Sequence, residues 1–307
     1  MAARPCGRTT SRPSRGSALP ALAASPPAAA PASPEAQGST DGRPQEFQPD
    51  EAAFAQLLQR EGASVQMSVF GTQFNHASPS QAANIALVAR RLTGHVVRPG
   101  AVFSYNGLLA PYSRANGYGW GRMFLGQRIV PSIGGGVCQG ASTLYNAVLL
   151  ADLPVVEQHF HGLTVPYLAP GRDATVTDLG SLDFRFRNST GAPLVLWSQA
   201  ERRWLTIAIY GPRRPPEVVI HTEVLARKPF PTVVVRDPRL PAGSERVAAP
   251  GQDGVTARAW AVIQQPDGTQ KRRDLGTHTY RPSPRVLLRG PGVRPGSPAP
   301  STPSAAG

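Results

Sequence analysis

"GGGVCQGASTLYNAVLL", residues 134–150, sets three glycines almost directly before a cysteine and starts a helical pattern at that cysteine. Ala141, Leu144, Tyr145, Val148 and Ala151 recur at the three- and four-residue spacing of one helix side. The spacing predicts a helix from about Cys138 to Leu150. A cysteine at a helix N-terminus meets the positive end of the peptide dipoles and several unpaired N–H groups. Both favour the thiolate, the reactive form of the side chain. Glycine backbone, for its part, can approach a substrate closely and aim N–H groups at a developing oxyanion. From these residues alone Cys138 reads as a nucleophile, as a small core residue behind a plain turn, or as a metal ligand.

The segments downstream carry the partners such chemistry needs. "PVVEQHFHGLTVPYL" (154–168) and "DATVTDLG" (173–180) read as strands. His159 and His161 are two apart, so on a strand they share one face and either can meet Cys138. Asp173 can orient an imidazole, and Arg172 can hold a carboxylate bidentately. Cysteine, then histidine, then a polar orienter is the order a Cys–His hydrolase or acyltransferase requires. The alternative is a zinc-binding protein in which the two histidines join Cys138 as ligands.

Working outward, "FAQLLQREGASVQMSVFGTQF" (54–74) reads as a helix and a strand, and "SQAANIALVARRLTG" (80–94) as an amphipathic helix closed by Gly94. "HVVRPGAVFSYN" (95–106) reads as two short strands about a Pro-Gly turn. "APYSRANGYGWGRMFLGQ" (110–127) reads as an aromatic loop, either a site wall or a packed surface loop. "LDFRFRN" (182–188) alternates cleanly, and "PLVLWSQ" with "RWLTIAIYG" makes a hairpin around 201–203. A helix-bearing first half followed by strands in series predicts an α+β fold with an antiparallel sheet. From about 216 the pattern changes to short strands between Gly/Pro turns: "EVVIHTEV", "PTVVVRD", "ARAWAVIQ" and "DLGTHTYRP". The expected organisation is a Pro/Ala/Arg-rich tail over 1–45, an α+β domain over 46–215, a small all-β module over 216–290 and a second tail over 291–307. Neither tail has the large side chains that offset the entropy of ordering, so both are expected to be disordered.

Composition narrows the function classes. The net charge is +13, and Lys228 and Lys271 are the two lysines among 32 basic residues. The arginines are scattered, with no basic run or basic helix, so nucleic acid is not an expected partner. No run of about 18 apolar residues exists, so no integral membrane segment is expected. Four arginines followed by "SALPALAASPPAAAPA" resemble a secretory signal with a weak apolar core. A degenerate signal, a misplaced start codon and a flexible tail remain open. The second cysteine, Cys6, sits in that tail, which excludes a disulfide within the fold and a Cys-rich zinc site. No cofactor is implied.

Several stretches together are more specific. "VVRPGAVFSYN", "GYGWG", "GGGVCQGASTLYNAVLLADLPVVEQHFHGLTVPYLAPGRDATV" and "SLDFRFRN" strongly resemble the VanW family, from about Ser68 to Gly211. "PGQDGVTARAWAV" is similar, more weakly, to the small five-glycine β modules attached to cell-wall proteins. The family is a bacterial envelope group linked to glycopeptide resistance, and some members are regarded as L,D-transpeptidases. The resemblance implies Cys138 as nucleophile, His161 as base with His159 as the alternative, and Asp173 as orienter. Backbone around Gly135, Gly136 and Gln139 would form the oxyanion site, with Arg172, Tyr118, Trp120 and Ser142 contacting substrate. The implied partner is peptidoglycan or another wall polymer, and the implied location is the cell envelope or outside the cell. A non-enzymatic wall-binding accessory is the competing function. This chain departs from the family pattern at Gly140 and Ala141, where a hydroxyl residue usually follows CQ. It departs again at Gln158 and Gly162, where Arg and Ser usually flank the histidine pair.

Overall fold

The computed structural model describes residues 52–125, 128–178 and 181–292. The N-terminal tail with Cys6 and the leader-like segment, and the C-terminal tail from 293 on, lie outside these residues. The first half is built on a four-stranded antiparallel sheet of order β1-β9-β8-β2, formed by Val65–Gln73, Trp204–Gly211, Leu194–Glu201 and Val96–Val97. Both faces of this sheet are covered. Leu194 and Leu196 of β8, with Leu205, Ile207 and Ile209 of β9, face the main core. The alternate residues Val195, Trp197, Ala208 and Tyr210 face Phe54 and Leu58 of α1 (Ala52–Glu61). Period-two alternation with two apolar faces explains why "LVLW" reads as a continuous hydrophobic run. The β8–β9 hairpin turns through Arg202 and Arg203, which take left-handed φ values of 48° and 66°.

On the main-core face lie α2 (Pro79–Leu92) and α4 (Val137–Leu150). Helix α2 starts as its sequence dictates: Ser78 caps it by accepting from the Gln81 N–H at 3.2 Å, and Pro79 occupies the first turn. Helix α4 is buried without a break from Gln139 to Leu149, Gln139, Ser142, Thr143 and Asn146 included. Its polar side chains are therefore satisfied internally. Gln139 Nε2 donates to Thr72 Oγ1 and to the Gln73 carbonyl, both at 3.0 Å, Thr143 and Thr72 share a 2.8 Å bond, and Ser68 Oγ donates to the Ala147 carbonyl at 2.7 Å. These bonds clamp α4 along β1 and fix where Cys138 sits.

Two expectations need correction. The 110–127 stretch is more than a loop: β4 (Trp120–Leu125) pairs with β5 (Arg128–Ile133). That hairpin crosses the glycine triplet, and a Cβ on Gly135 would collide with the backbone of Gly121 and Arg122. The contact is non-local, so no local pattern announces it. The described part of the 154–180 stretch, residues 154–178, forms one short strand, β6 (Val155–Glu157), in a small sheet of order β3-β7-β6 with Val102–Ser104 and Arg185–Arg187. Beyond Glu157 the chain runs irregularly beside 173–176, joined to it by the Thr175 N–H to the His159 carbonyl at 2.8 Å and by side-chain bonds rather than a regular ladder.

The C-terminal part is all β, in two three-stranded sheets. One has the order β10-β13-β14, from Val218–Lys228, Gly254–Gln264 and Gln270–Tyr280, and is antiparallel throughout. The other has the order β11-β15-β12, from Thr232–Arg236, Ser283–Arg289 and Glu245–Gln252, with β11 and β15 parallel. Strands β12 and β15 are additions to the four expected. Strand β12 carries Pro250 and Gly251, which is tolerated because it is an edge strand.

Candidate functional site

Cys138 is the second residue of α4, after a left-handed N-cap at Gly136 with φ 105°. A Cβ at Gly136 would meet the Gln81 carbonyl and Ile85, so both the backbone angle and the space require glycine. Gly140 is equally constrained. A Cβ there would run into the Tyr105 hydroxyl and Val88, and that hydroxyl donates to the Val137 carbonyl at 2.8 Å. The departure after CQ is thus filled by Tyr105 from α3 (Tyr105–Leu109).

The thiol is half-buried and free. Its Sγ lies 3.5 Å from Thr175 Oγ1 and 3.5 Å from the Val176 carbonyl, and it is hydrogen-bonded to His161. His161 Nδ1 bonds Asp173 Oδ2 at 2.6 Å, and the His161 backbone N–H donates to the same oxygen at 2.8 Å. The other carboxylate oxygen, Oδ1, accepts from the Tyr280 hydroxyl of β14. His161 is 4% exposed and Asp173 1%, so half-buried Cys138 is the most exposed residue of a buried polar series.

Charges follow from this arrangement. Burial pushes the Cys138 thiol up, but the bonded His161 imidazolium, with the contacts to Val176 and Thr175, together more than offset it, and the thiol sits below its ordinary value. Burial pulls His161 down, while the bond to Asp173, then that to Cys138, raise it to about 9. Burial likewise pushes Asp173 up, and its bonds to His161 and Tyr280 hold it below the usual carboxylate range. A thiolate–imidazolium pair backed by a carboxylate is the charge state these shifts favour.

The remaining predicted residues separate. His159 pairs with Glu157 at 2.9 Å, so the two histidines have different partners. Among the described residues no group of three His, Cys, Asp or Glu side chains is arranged to hold a metal ion. Ser142 is fully buried and ties α4 to the Asp173 segment, donating to the Ala174 carbonyl and accepting from its N–H, both at 2.9 Å. The Gln139 N–H is bonded to the Gly136 carbonyl at 3.1 Å, and its side chain is spent on β1. The Gly135 carbonyl accepts from Asn84 at 2.9 Å. Tyr118 is 2% exposed, with its hydroxyl on the Leu109 carbonyl and Arg91 against its ring, so it is a core side chain. Trp120 is 52% exposed on β4, with the Arg114 guanidinium 5.8 Å from its ring centroid. Arg172 donates to Asn146 Oδ1 at 2.8 Å and lies over the Phe70 ring; burial pulls its guanidinium down to about 10.

Sequence reasoning missed Gln158, whose amide donates to the Asp173 carbonyl at 2.6 Å, and missed Tyr280 altogether. Tyr280 lies 107 residues from Asp173, and no local signal joins them. A cleft of about 460 Å3 lies beside this region, lined by Tyr145, Glu157, Gln158, Arg273 and Asp274 among others, and Cys138 is not part of its wall.

Comparison with known proteins separates the two halves. Residues 80–210 match the family model described as VanW like protein, and residues 217–292 match that of the G5 domain. The chain is 37% identical over 146 residues to the uncharacterized protein YoaR of Bacillus subtilis strain 168, covering 48% of each chain. It is 24% identical over 138 residues to the vancomycin B-type resistance protein VanW of Enterococcus faecalis, covering 43% of this chain and 50% of that one. The chain thus spans about half the length of the curated relatives it matches. An IgA1 protease G5 domain structure aligns with 27% of this chain and all of its own length, at 24% identity and a TM-score of 0.18. No helix among the described residues is long and apolar enough to cross a membrane.

Proposed function

We propose that this chain, a VanW-like region followed by a G5 domain, is a cell-envelope cysteine acyltransferase acting on peptidoglycan stem peptides. The observation that carries the reading is the hydrogen-bonded series Cys138–His161–Asp173, with the sulfur at a helix N-terminus. The Cys138 thiolate attacks the carbonyl of a tetrapeptide stem that bears the terminal D-alanine. The new C–S bond forms, the C–N bond breaks, and His161 delivers its proton to the departing amine. An amine on a neighbouring stem then attacks the thioester, loses a proton to His161 and releases Cys138 as thiolate. Asp173 holds the imidazole in one orientation and stabilises its charge. The first-turn amide of Cys138 is the oxyanion donor this reading uses, since the Val137 and Gln139 N–H groups are bonded to Gly134 and Gly136. Arg172 offers a half-buried cation with no carboxylate in contact among the described residues, suited to an anionic group of the stem. Cross-links made this way bypass the terminal D-Ala-D-Ala that glycopeptides bind, in keeping with the resistance named in one relative.

The G5 match favours one competing reading, a wall-binding accessory without turnover. Intact-protein mass spectrometry with a tetrapeptide-stem muropeptide separates the two. Acyl transfer gives an adduct equal to the stem minus D-alanine on the wild type and none on Cys138→Ser. Muropeptide binding without adduct or turnover, with the thiol free and the protein folded, supports the accessory.

A further inference from the structure

Strand β14 of the C-terminal module reaches into the cysteine site at four points. The Tyr280 hydroxyl donates to Asp173 Oδ1 and accepts from the Gly171 N–H at 2.7 Å. His278 Nε2 lies 3.1 Å from the His161 carbonyl, and its ring stacks on Phe160 with centroids 4.5 Å apart. Just past the strand, the Arg281 N–H donates to the Gly162 carbonyl at 2.8 Å. Tyr280 is 1% exposed. Burial and the neighbouring Asp173 charge keep it a phenol, so it is the donor and Asp173 the acceptor. The Gly171 N–H polarises the same hydroxyl and strengthens that donation.

We infer that Tyr280 is a positioning residue of the Cys138–His161–Asp173 series, so that the G5 part completes the site as well as offering a surface to the wall. The inference rests on the reading of Cys138 as nucleophile. Asp173 Oδ2 already receives two donors from His161. Among the described residues Tyr280 is the side chain bonded to Oδ1; without it that oxygen is buried with no side-chain donor among them, and the carboxylate loses both a stabilising bond and a fixed rotation. Titratable groups near Asp173 are His161, Tyr280, Tyr145, Tyr167 and the adjacent Arg172. Of these, His161 and Tyr280 bond its carboxylate.

The test is the rate of iodoacetamide alkylation of Cys138 against pH, in the full chain with Cys6→Ser so that one thiol remains. The acid limb reports proton uptake by the coupled set. Tyr280→Phe keeps the ring and removes the donor, so Asp173 takes a proton at higher pH. The limb then moves up by about one unit, the size of a charge-assisted hydrogen bond. Difluorotyrosine at 280 is a stronger donor and moves the limb down. Opposite shifts cannot arise from loosened packing, and the second variant decides the matter if the first does not fold. Profiles that superimpose on the parent, or shift the same way in both variants, overturn the inference. A parent that titrates as an ordinary thiol overturns the nucleophile reading instead.

Discussion

In β13, Val255, Ala257, Ala259, Ala261 and Ile263 are buried while the residues between them are not. In β11, the consecutive Val233, Val234 and Val235 are all 44–46% exposed. The two strands belong to the two sheets of the same module, and by side-chain character their positions look exchanged. Valine-rich β11 has the composition of a core strand, and alanine-rich β13 that of a weak one. The difference lies in what covers each sheet. Sheet β10-β13-β14 is docked on the first half through Leu150 of α4, Phe160 and Gly171, where a Cβ on the glycine would meet the Ala259 methyl at 3.2 Å. Small side chains are what allow that approach. Sheet β11-β15-β12 places no side chain in the buried apolar clusters of the described residues, touches the first half through Gln252 on Thr164, and leaves β11 exposed along its length. Docking, then, distinguishes the two sheets, and it is the docked one that supplies Tyr280.

The largest effect is expected where the docked sheet meets the cysteine site. Asp173→Asn keeps the shape but removes the charge from a carboxylate 1% exposed. Oδ2 takes two donors from His161 and Oδ1 takes one from Tyr280, so an amide NH2 at Oδ2 faces the His161 N–H donors, and one at Oδ1 removes the acceptor of the Tyr280 O–H. Breaking a buried pair from one side costs about 3–5 kcal/mol. Denaturant unfolding of the variant should show a loss of that order, and an unchanged midpoint would mean that the series contributes nothing to the fold. Next is Ala259→Leu at the docking face, where overpacking is expected to cost about 1–3 kcal/mol. If its stability matches wild type, the contact at Gly171 is looser than the structure has it.

Stability against pH isolates the charge state of the site. His161 is raised from 6.5 to about 9, so its contribution is complete below 6.5 and is lost as pH rises through about 9. The Cys138 shift is downward from 9.0, so its contribution is complete above 9 and is lost as pH falls through the lowered value. Above the lowered Cys138 value and above 6.5, and below about 9, the folded pair holds its proton on His161 and the unfolded chain holds it on the thiol. The slopes cancel, and these two groups leave the wild type flat there. Cys138→Ser keeps the His161–Asp173 bond alone, and its stability should fall with rising pH by up to about 1.4 kcal/mol per unit. Parallel curves for the two proteins would rule out the ion pair.

Much of this was legible in the residues. Helices α2 and α4 and the β8–β9 hairpin follow from period and turn chemistry, and the order of Cys138, His161 and Asp173 is visible along the chain. What the sequence hid is what depends on distant partners. Val137 and Gln139 look like free first-turn donors until their bonds to Gly134 and Gly136 are seen, and Tyr118 looks like a wall until Arg91 and Leu109 enclose it. Tyr280 carries no motif of its own; its role exists because an alanine-lined strand fits against Gly171.

The smallest effect belongs to the outer sheet. Val234→Thr exchanges a methyl for a hydroxyl at a position 46% exposed, on an edge strand paired on one side with β15. Both residues are β-branched, so the strand propensity is kept. No core contact is lost and the hydroxyl stays hydrated, so the change should be within about 0.5 kcal/mol. The same substitution in β13, Val255→Thr, puts the hydroxyl at a position 5% exposed, beside Tyr280 and Phe160. There an unpartnered hydroxyl costs about 1–3 kcal/mol. Thermal unfolding of the two variants side by side measures the contrast directly. Equal losses would mean that the outer sheet is covered in solution by something other than water, and that its exposed valines are half of an interface.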